Sequence, residues 1–405
     1  MQKLSIGSLL IILFFSCSNI EQDFQLINLD IPNDVNSSEP SLHKAKDGTI
    51  YLNWFETNKD DVTSLKLATL KDNKWSNIST VASSSNWFVN WADFPSITSF
   101  GDNLVIHYLE KSAEDTYAYD VKLLTSNDKG ATWNNAFTPH TDGTQTEHGF
   151  VSKTALNEES YLTVWLDGRQ MAYAKKDSTV TSQMSLRAAI INSKNKIINE
   201  YTLDKRTCDC CQTDTALTNE GPIVVYRDRT AHEIRDIYYT KQLNDTTWSQ
   251  PKPLYNDNWK IGGCPVNGPA ISAKNDNVAV SWFTVANDNP QVKVSFSKNN
   301  GNTFETPILI GNSKTLGRVD VEMLDEDSAI VSWMETENGQ TVINIQQVFN
   351  NGDKSNVFTV SKSNESRSSG FPRITIKGEQ IIIAWTQVGE LLKVNSAIIN
   401  TNVFK

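Results

Sequence analysis

Four cysteines stand where chemistry is most readily built. Three are packed into Cys208-Asp209-Cys210-Cys211-Gln212, and the fourth lies in Gly263-Cys264-Pro265-Val266-Asn267-Gly268-Pro269. Thiolates are soft ligands that suit Cu(I) or zinc, so Cys208, Cys210, Cys211 and Cys264 read as a metal site. His148, in Glu147-His148-Gly149-Phe150, is placed to add a nitrogen. Outside the cytoplasm the same thiols read as disulfides, Cys264 bridging to one of the triplet and the other two pairing under strain. A redox-active thiol is the third reading. The spacing is not that of a zinc ribbon, and all three readings stay open.

A second set is charged. Asp93, in Trp91-Ala92-Asp93-Phe94-Pro95, is a candidate proton donor, with Glu335 and Asp228 as further candidate acids. Arg318, Arg373, Arg169 and Arg229 are candidate carboxylate clamps, because a planar guanidinium grips a carboxylate with two bonds. Asp320, in Gly317-Arg318-Val319-Asp320, and Asn267 complete the candidate ligand-binding set. Arg227-Asp228-Arg229 has an equal structural reading, in which Arg–Asp pairs brace neighbouring loops.

These residues are scattered along the chain, so a repeating architecture is needed to gather them. Apolar strands end in a large aromatic at Trp54, Tyr108, Trp165, Tyr226, Trp282, Trp333 and Trp385. About fourteen residues before each, another short strand begins, at Pro40, Pro95, Val151, Gln212, Gly268, Val319 and Pro372. The repeats are roughly fifty to sixty residues apart, a period of propellers and solenoids. A third, alternating strand follows, as in Gln291-Val292-Lys293-Val294-Ser295, and then a fourth marked by Trp75, Trp133, Trp248 or Phe304. The fold expected is all-β: a seven-bladed β-propeller, with six blades as the alternative count and an open stack as the alternative architecture.

The last repeat has no good fourth strand, and Phe24 to Leu29 offers one, which would close the ring and remove an open sheet edge. In such a ring the first strands begin, and the second strands end, at one mouth of the channel. Two residues past each aromatic come Glu56, Glu110, Asp167, Asp228, Thr284, Glu335 and Gln387, predicting either an acidic ring at that mouth or ordinary solvated loops.

The chain has 405 residues, a formal charge of -10 and no basic run, which argues against a nucleic-acid partner. Lys3 followed by apolar Leu4 to Phe15 is too short for a comfortable membrane span and reads as a leader. Ser16-Cys17 resembles a bacterial lipoprotein signal with Cys17 lipidated; an ordinary secretory signal is the alternative. The expected division is a signal peptide at 1–17, a tether at 18–23 and one propeller domain at 24–405, exported to the cell envelope, monomeric and touching membrane only through its lipid.

Ser126-Asn127-Asp128-Lys129-Gly130-Ala131-Thr132-Trp133 is similar to the Asp-box of the sialidase (BNR repeat) superfamily, and Ser297 to Phe304 is a weaker copy. The Asp caps backbone N–H groups, the Gly takes a left-handed position and the aromatic packs beneath. That superfamily implies a propeller, three arginines on the substrate carboxylate, a Tyr nucleophile paired with a Glu, and an Asp acid/base. The chain departs from it: the Phe-Arg-Ile-Pro segment is absent, Phe371-Pro372-Arg373-Ile374 is a scrambled likeness, and seven repeats stand where six blades are usual. Tyr226 and Tyr108 fall in core slots. A broad class of secreted sialidase-like proteins resembles this chain in Cys208–Gln212, Tyr226–Arg229, Glu233–Asp236, Cys264–Pro269 and Gly317–Asp320. The implied function is binding, with or without hydrolysis, of an acidic glycan or other small anion. The alternatives are a copper or zinc module, a redox module and a non-catalytic scaffold.

Overall fold

The computed structural model describes residues 26–32 and 36–404. The expected leader, Cys17 and the tether lie outside the described residues. Among the described residues no helix is long and apolar enough to cross a membrane.

The chain forms seven antiparallel sheets in sequence order. Blade one runs Asn36–Lys44, Ile50–Thr57, Thr63–Lys71 and Lys74–Ser84, from the inside outwards. Blade two has Ile97–Phe100, Asn103–Lys111 and Tyr119–Ser126; the expected fourth strand at Trp133 is reduced to a single bridge between Leu123 and Phe137. Blade three has His148–Ala155, Ser160–Asp167, Met184–Asn192 and Ile197–Thr207. A short helix, Arg169–Ala174, interrupts it after the second strand. Blade four comprises Asp214–Thr218, Gly221–Arg227, Ile237–Asn244 and two short outer pieces, and blade five Ala270–Lys274, Asn277–Thr284, Gln291–Ser297 and Ile308–Ile310. Blade six has Thr315–Met323, Ser328–Glu337, Gln340–Phe349 and Phe358–Lys362. Blade seven has Arg373–Lys377, Gln380–Gln387 and Lys393–Asn400, with Leu26–Leu29 paired outermost, Leu26 opposite Ile399 and Leu29 opposite Ser396.

The second strands read as unbroken apolar runs because neighbouring blades cover both their faces. Gln380–Gln387 is buried at every interior position. Trp54, Trp165, Trp282 and Trp333 are wholly buried. Seven apolar clusters form, one at each junction between adjacent blades. The junction of blades seven and one carries Ile382, Ala384, Val394 and Ile398 against Ile50, Leu52 and Trp54. The inner strands surround a central cavity of about 590 Å³.

The inner strands of blades one, three and six are bulged where they start. Glu39, Phe150 and Arg318 hold φ of 52°, 53° and 54° there, and the pairing register slips beside each. A bulge re-aims the side chain it carries. These bulges put the start of each inner strand, and the connector before it, over the mouth.

Candidate functional site

The connector from blade three to blade four carries the cysteine triplet. Thr207 ends the outer strand, and Cys208 N–H donates to Arg227 O at 3.1 Å, which turns the chain inwards. Cys208 and Cys211 are buried, Cys210 is half-buried and Cys264 is exposed. The sulfurs of Cys208 and Cys210 stand 3.9 Å apart, and those of Cys208 and Cys211 3.6 Å apart. No S–S bond joins these cysteines. Cys264 reaches them from the connector to blade five, its thiol in contact with that of Cys210. Arg235 donates Nη1–H to the Cys208 sulfur at 3.2 Å. Hydrogen bonds from Cys210 and Cys211, and then the Arg235 charge, hold the Cys208 thiol well below its usual range. Cys208, Cys210 and Cys211 thus lie close enough together to share an ion, and Cys264 stands beside Cys210 at the edge of that group.

His148 does not join them. Its imidazole is fully buried on the other side, stacked on His140 at 3.8 Å. Glu147, one residue earlier, faces the thiols. Burial, then the nearby Asp93, Asp209 and Cys264, push its carboxyl up to about 8. Alternation along an extended chain sends these two neighbours to opposite faces.

Asp93 is buried as well, accepting Phe150 N–H at 2.8 Å, and burial pushes it up to about 7. Tyr119 lies beside it and donates its hydroxyl to Glu147 at 2.8 Å. A Cβ on Gly149 would sit 2.2 Å from Asp93 Oδ2 and 2.8 Å from the Tyr119 ring, so only glycine lets the pair approach. Tyr119 and Glu147 are site residues that sequence reasoning missed. Tyr119 opens a third strand, a position the aromatic repeat does not mark.

The arginines do not form a clamp. Arg169 makes two bonds to Asp167, each 2.7 Å. Arg229 is held by Glu233 and by Asp209. Arg318 is buried, giving its donors to Ser369 Oγ, Gly370 O and Glu365 O and lying over the Trp91 ring. Burial without a carboxylate partner pushes Arg318 down to about 10. Arg373 lines the central cavity, pairs with Asp320 at 3.3 Å and lies over Phe94; its buried Nε makes no hydrogen bond. Asn267 is a brace: its Oδ1 accepts Arg318 N–H at 2.7 Å and its carbonyl accepts Arg227. Asp320 accepts Ile374 N–H at 2.8 Å and stitches blade six to blade seven.

At three positions of the expected acidic ring the slot has a local cause; Glu335 is an exception, since the Trp333 indole N–H makes no hydrogen bond. Trp54 donates its indole N–H to Glu56 at 3.0 Å and Trp165 to Asp167 at 2.8 Å. Trp385 does the same to Gln387 at 3.4 Å. In blade five, where Thr284 occupies the slot, Asp257 takes the Trp282 N–H at 2.7 Å. A buried indole N–H needs an acceptor. Glu335 accepts Asn312 N–H and Asn344 Nδ2 and is a brace too. Asp228 is buried near Asp204 and Asp236; burial and then Asp204 push it up to about 7.

No family model matches this chain, and no curated protein matches it. Among solved structures, the chain is similar to a protein of unknown function from Dyadobacter fermentans, with 11% identity, TM-score 0.52, 93% of this chain and 98% of that one covered. It is also similar to an α-L-arabinofuranosidase from Fusarium graminearum, with 11% identity, TM-score 0.51 and 94% and 99% covered. The NanB sialidase of Streptococcus pneumoniae aligns over 92% of this chain and 69% of that one, with 11% identity and a TM-score of 0.45. At such identities the likeness is one of fold, and function has to be argued from the site.

Proposed function

We propose that this protein is an exported sialidase-like propeller whose channel mouth holds one soft metal ion, Cu(I) or zinc, between Cys208, Cys210, Cys211 and Cys264. One observation carries the reading: the sulfur of Cys208 stands 3.6 Å from that of Cys211 and 3.9 Å from that of Cys210, with Cys264 as the fourth ligand the reading adds. Four sulfurs at ~2.3 Å from a common ion in a tetrahedron stand about 3.8 Å from one another, whereas bonded sulfurs stand about 2 Å apart. Arg235 offsets part of the negative charge that gathered thiolates create. The test is metal content and thiol count on protein purified without air or chelator. About one copper or zinc per chain with four reactive thiols, lost in Cys210→Ser and Cys264→Ser, is the expected result. Four thiols that take up neither metal, or two disulfides, overturn it.

A second reading rests on Asp93, Tyr119 and Glu147. Two carboxyls held protonated near neutral pH beside a tyrosine are groups that glycoside hydrolysis uses. On this reading the mouth binds an acidic glycan, with the spare Nε–H of Arg373 as the carboxylate contact. Release of sugar from a panel of sialosides and uronic-acid glycosides, abolished by Glu147→Gln, is expected; no release and no binding across the panel removes this reading. Export and lipidation at Cys17 belong to the same proposal, and Cys17→Ala is expected to move the protein from membrane to soluble fractions.

A further inference from the structure

We propose that His140, His148, Asp142 and Asp167, with Asp120 at the opposite edge of the two rings, form a second cation site, for a divalent transition-metal ion, separate from the thiol cluster. His148 opens the inner strand of blade three, and Asp167 ends the strand paired with it. Asp120 lies in the third strand of blade two, whereas His140 and Asp142 come from the loop joining the two blades. Five residues from four segments thus meet in one blade junction at the mouth.

On one edge of the stacked rings, His140 Nδ1, His148 Nε2, Asp142 Oδ1 and Asp167 Oδ2 form one candidate ligand set. Asp142 Oδ1 is 3.2 Å from His140 Nδ1 and 3.3 Å from His148 Nε2. Nitrogen and oxygen ligands at ~2.0–2.1 Å from a tetrahedral ion stand about 3.3 Å apart. Asp167 Oδ2 is 3.8 Å from His148 Nε2. Asp120 Oδ1 faces the opposite ring nitrogens, 3.9 Å from His140 Nε2 and 3.8 Å from His148 Nδ1, and stands outside this ligand set. His148 Nδ1 also meets Thr146 O at 3.2 Å, a backbone contact that sets the tautomer of a metal-binding imidazole.

Two atoms that face each other here, His148 Nε2 and Asp142 Oδ1, lack hydrogen bonds. His140 Nε2, His148 Nε2 and Asp142 Oδ1 are all buried and make none. The two imidazoles are 7% and 0% exposed. Buried polar atoms are almost always satisfied, so His148 Nε2 and Asp142 Oδ1, which face each other at 3.3 Å, mark where a shared cation would sit, whereas His140 Nε2 faces Asp120. Charge agrees. Three carboxylates face two imidazoles and the guanidinium of Arg169, which makes its two bonds to Asp167 and stands 3.3 Å from Asp142. Lys122 and Arg187 lie at the rim, where they also have Glu110 and Glu200 to pair with. With neutral imidazoles the centre stays net negative. Mixed imidazole and carboxylate ligands suit Zn²⁺, Co²⁺ or Mn²⁺ rather than Cu(I).

Co²⁺ added to metal-free full-length protein separates the two sites, because only the thiol site gives an intense sulfur-to-metal charge-transfer band. A visible Co²⁺ spectrum without that band, persisting in Cys210→Ser and weakened at least about tenfold in His140→Gln and in His148→Gln, is the expected outcome. His140 sits in a loop, so its variant serves if His148→Gln does not fold. Co²⁺ binding that is unchanged in a folded His140→Gln, or that vanishes entirely in Cys210→Ser, overturns the proposal. So does a cluster that takes up only a proton, shown by a histidine titration that Zn²⁺ does not shift. Failure of the thiol reading leaves this result untouched.

Discussion

Arg235 holds its guanidinium 3.2 Å from the sulfur of Cys208 and is itself anchored by Glu233 at 2.9 Å. Hydrogen bonds from Cys210 and Cys211, and then this charge, bias Cys208 towards thiolate. Arg235→Gln keeps the size of the side chain and removes the charge. The Cys208 titration midpoint is expected to rise by about one unit, which is about tenfold in thiolate fraction near neutrality. Thiolate absorbance against pH measures it; an unchanged curve means that the other thiols alone set the state of Cys208.

Asp93 and Glu147 tie stability to pH. Both bind a proton more tightly when folded, at about 7 and about 8, than the usual carboxylate value near 4 in the unfolded chain. Their contribution is therefore intact below about pH 4 and is lost as pH rises through 7 to 8. Glu147→Gln is expected to be more stable than the parent at about pH 9 and level with it at about pH 4, by thermal unfolding. Parallel curves at all pH values contradict the assignment.

Arg318 braces the ring. Its donors end on Ser369, Gly370 and Glu365, which precede blade seven. Arg318→Ala is expected to cost about 3 kcal/mol in urea unfolding, since it leaves buried carbonyls unpaired. A variant with parental stability but lost anion binding would restore the clamp role that the sequence suggested.

Gly317 has no room for a side chain. Its φ is +73°, and a Cβ would stand 2.5 Å from Asn267 Oδ1 and 2.6 Å from Phe283. Gly317→Ala is expected to destabilise by about 2–3 kcal/mol and to loosen the Asn267–Arg318 contact. Denaturant midpoints of G317A and a surface control such as Gly352→Ala, where nothing lies within 4 Å, check it; Gly352 also has φ +99°, so the control isolates crowding from backbone strain.

The sequence by itself determined the seven repeats, the all-β class and the clustering of Cys208, Cys210 and Cys211. Those follow from local rules: apolar runs that must be covered on both faces, turn residues between them, and connectors placed at equivalent points of successive repeats. Tertiary structure decided the rest. Glu56 and Asp167 looked like members of a functional ring, yet each accepts the N–H of a buried tryptophan two residues earlier. Arg169, Arg229 and Arg318 looked free to clamp an anion; Arg169 and Arg229 are instead held by carboxylates two and four residues away, and Arg318 by a connector 47 residues on that spacing does not disclose. Tyr119 and His140 carry no repeat signature, and they matter only because blades two and three press their edges together. His148 was read towards the thiols, but the bulged strand start aims Glu147 there and turns His148 into the neighbouring junction. Periodicity reports which way a strand faces on average; a single bulge reverses it, and only the folded backbone shows where the bulge falls.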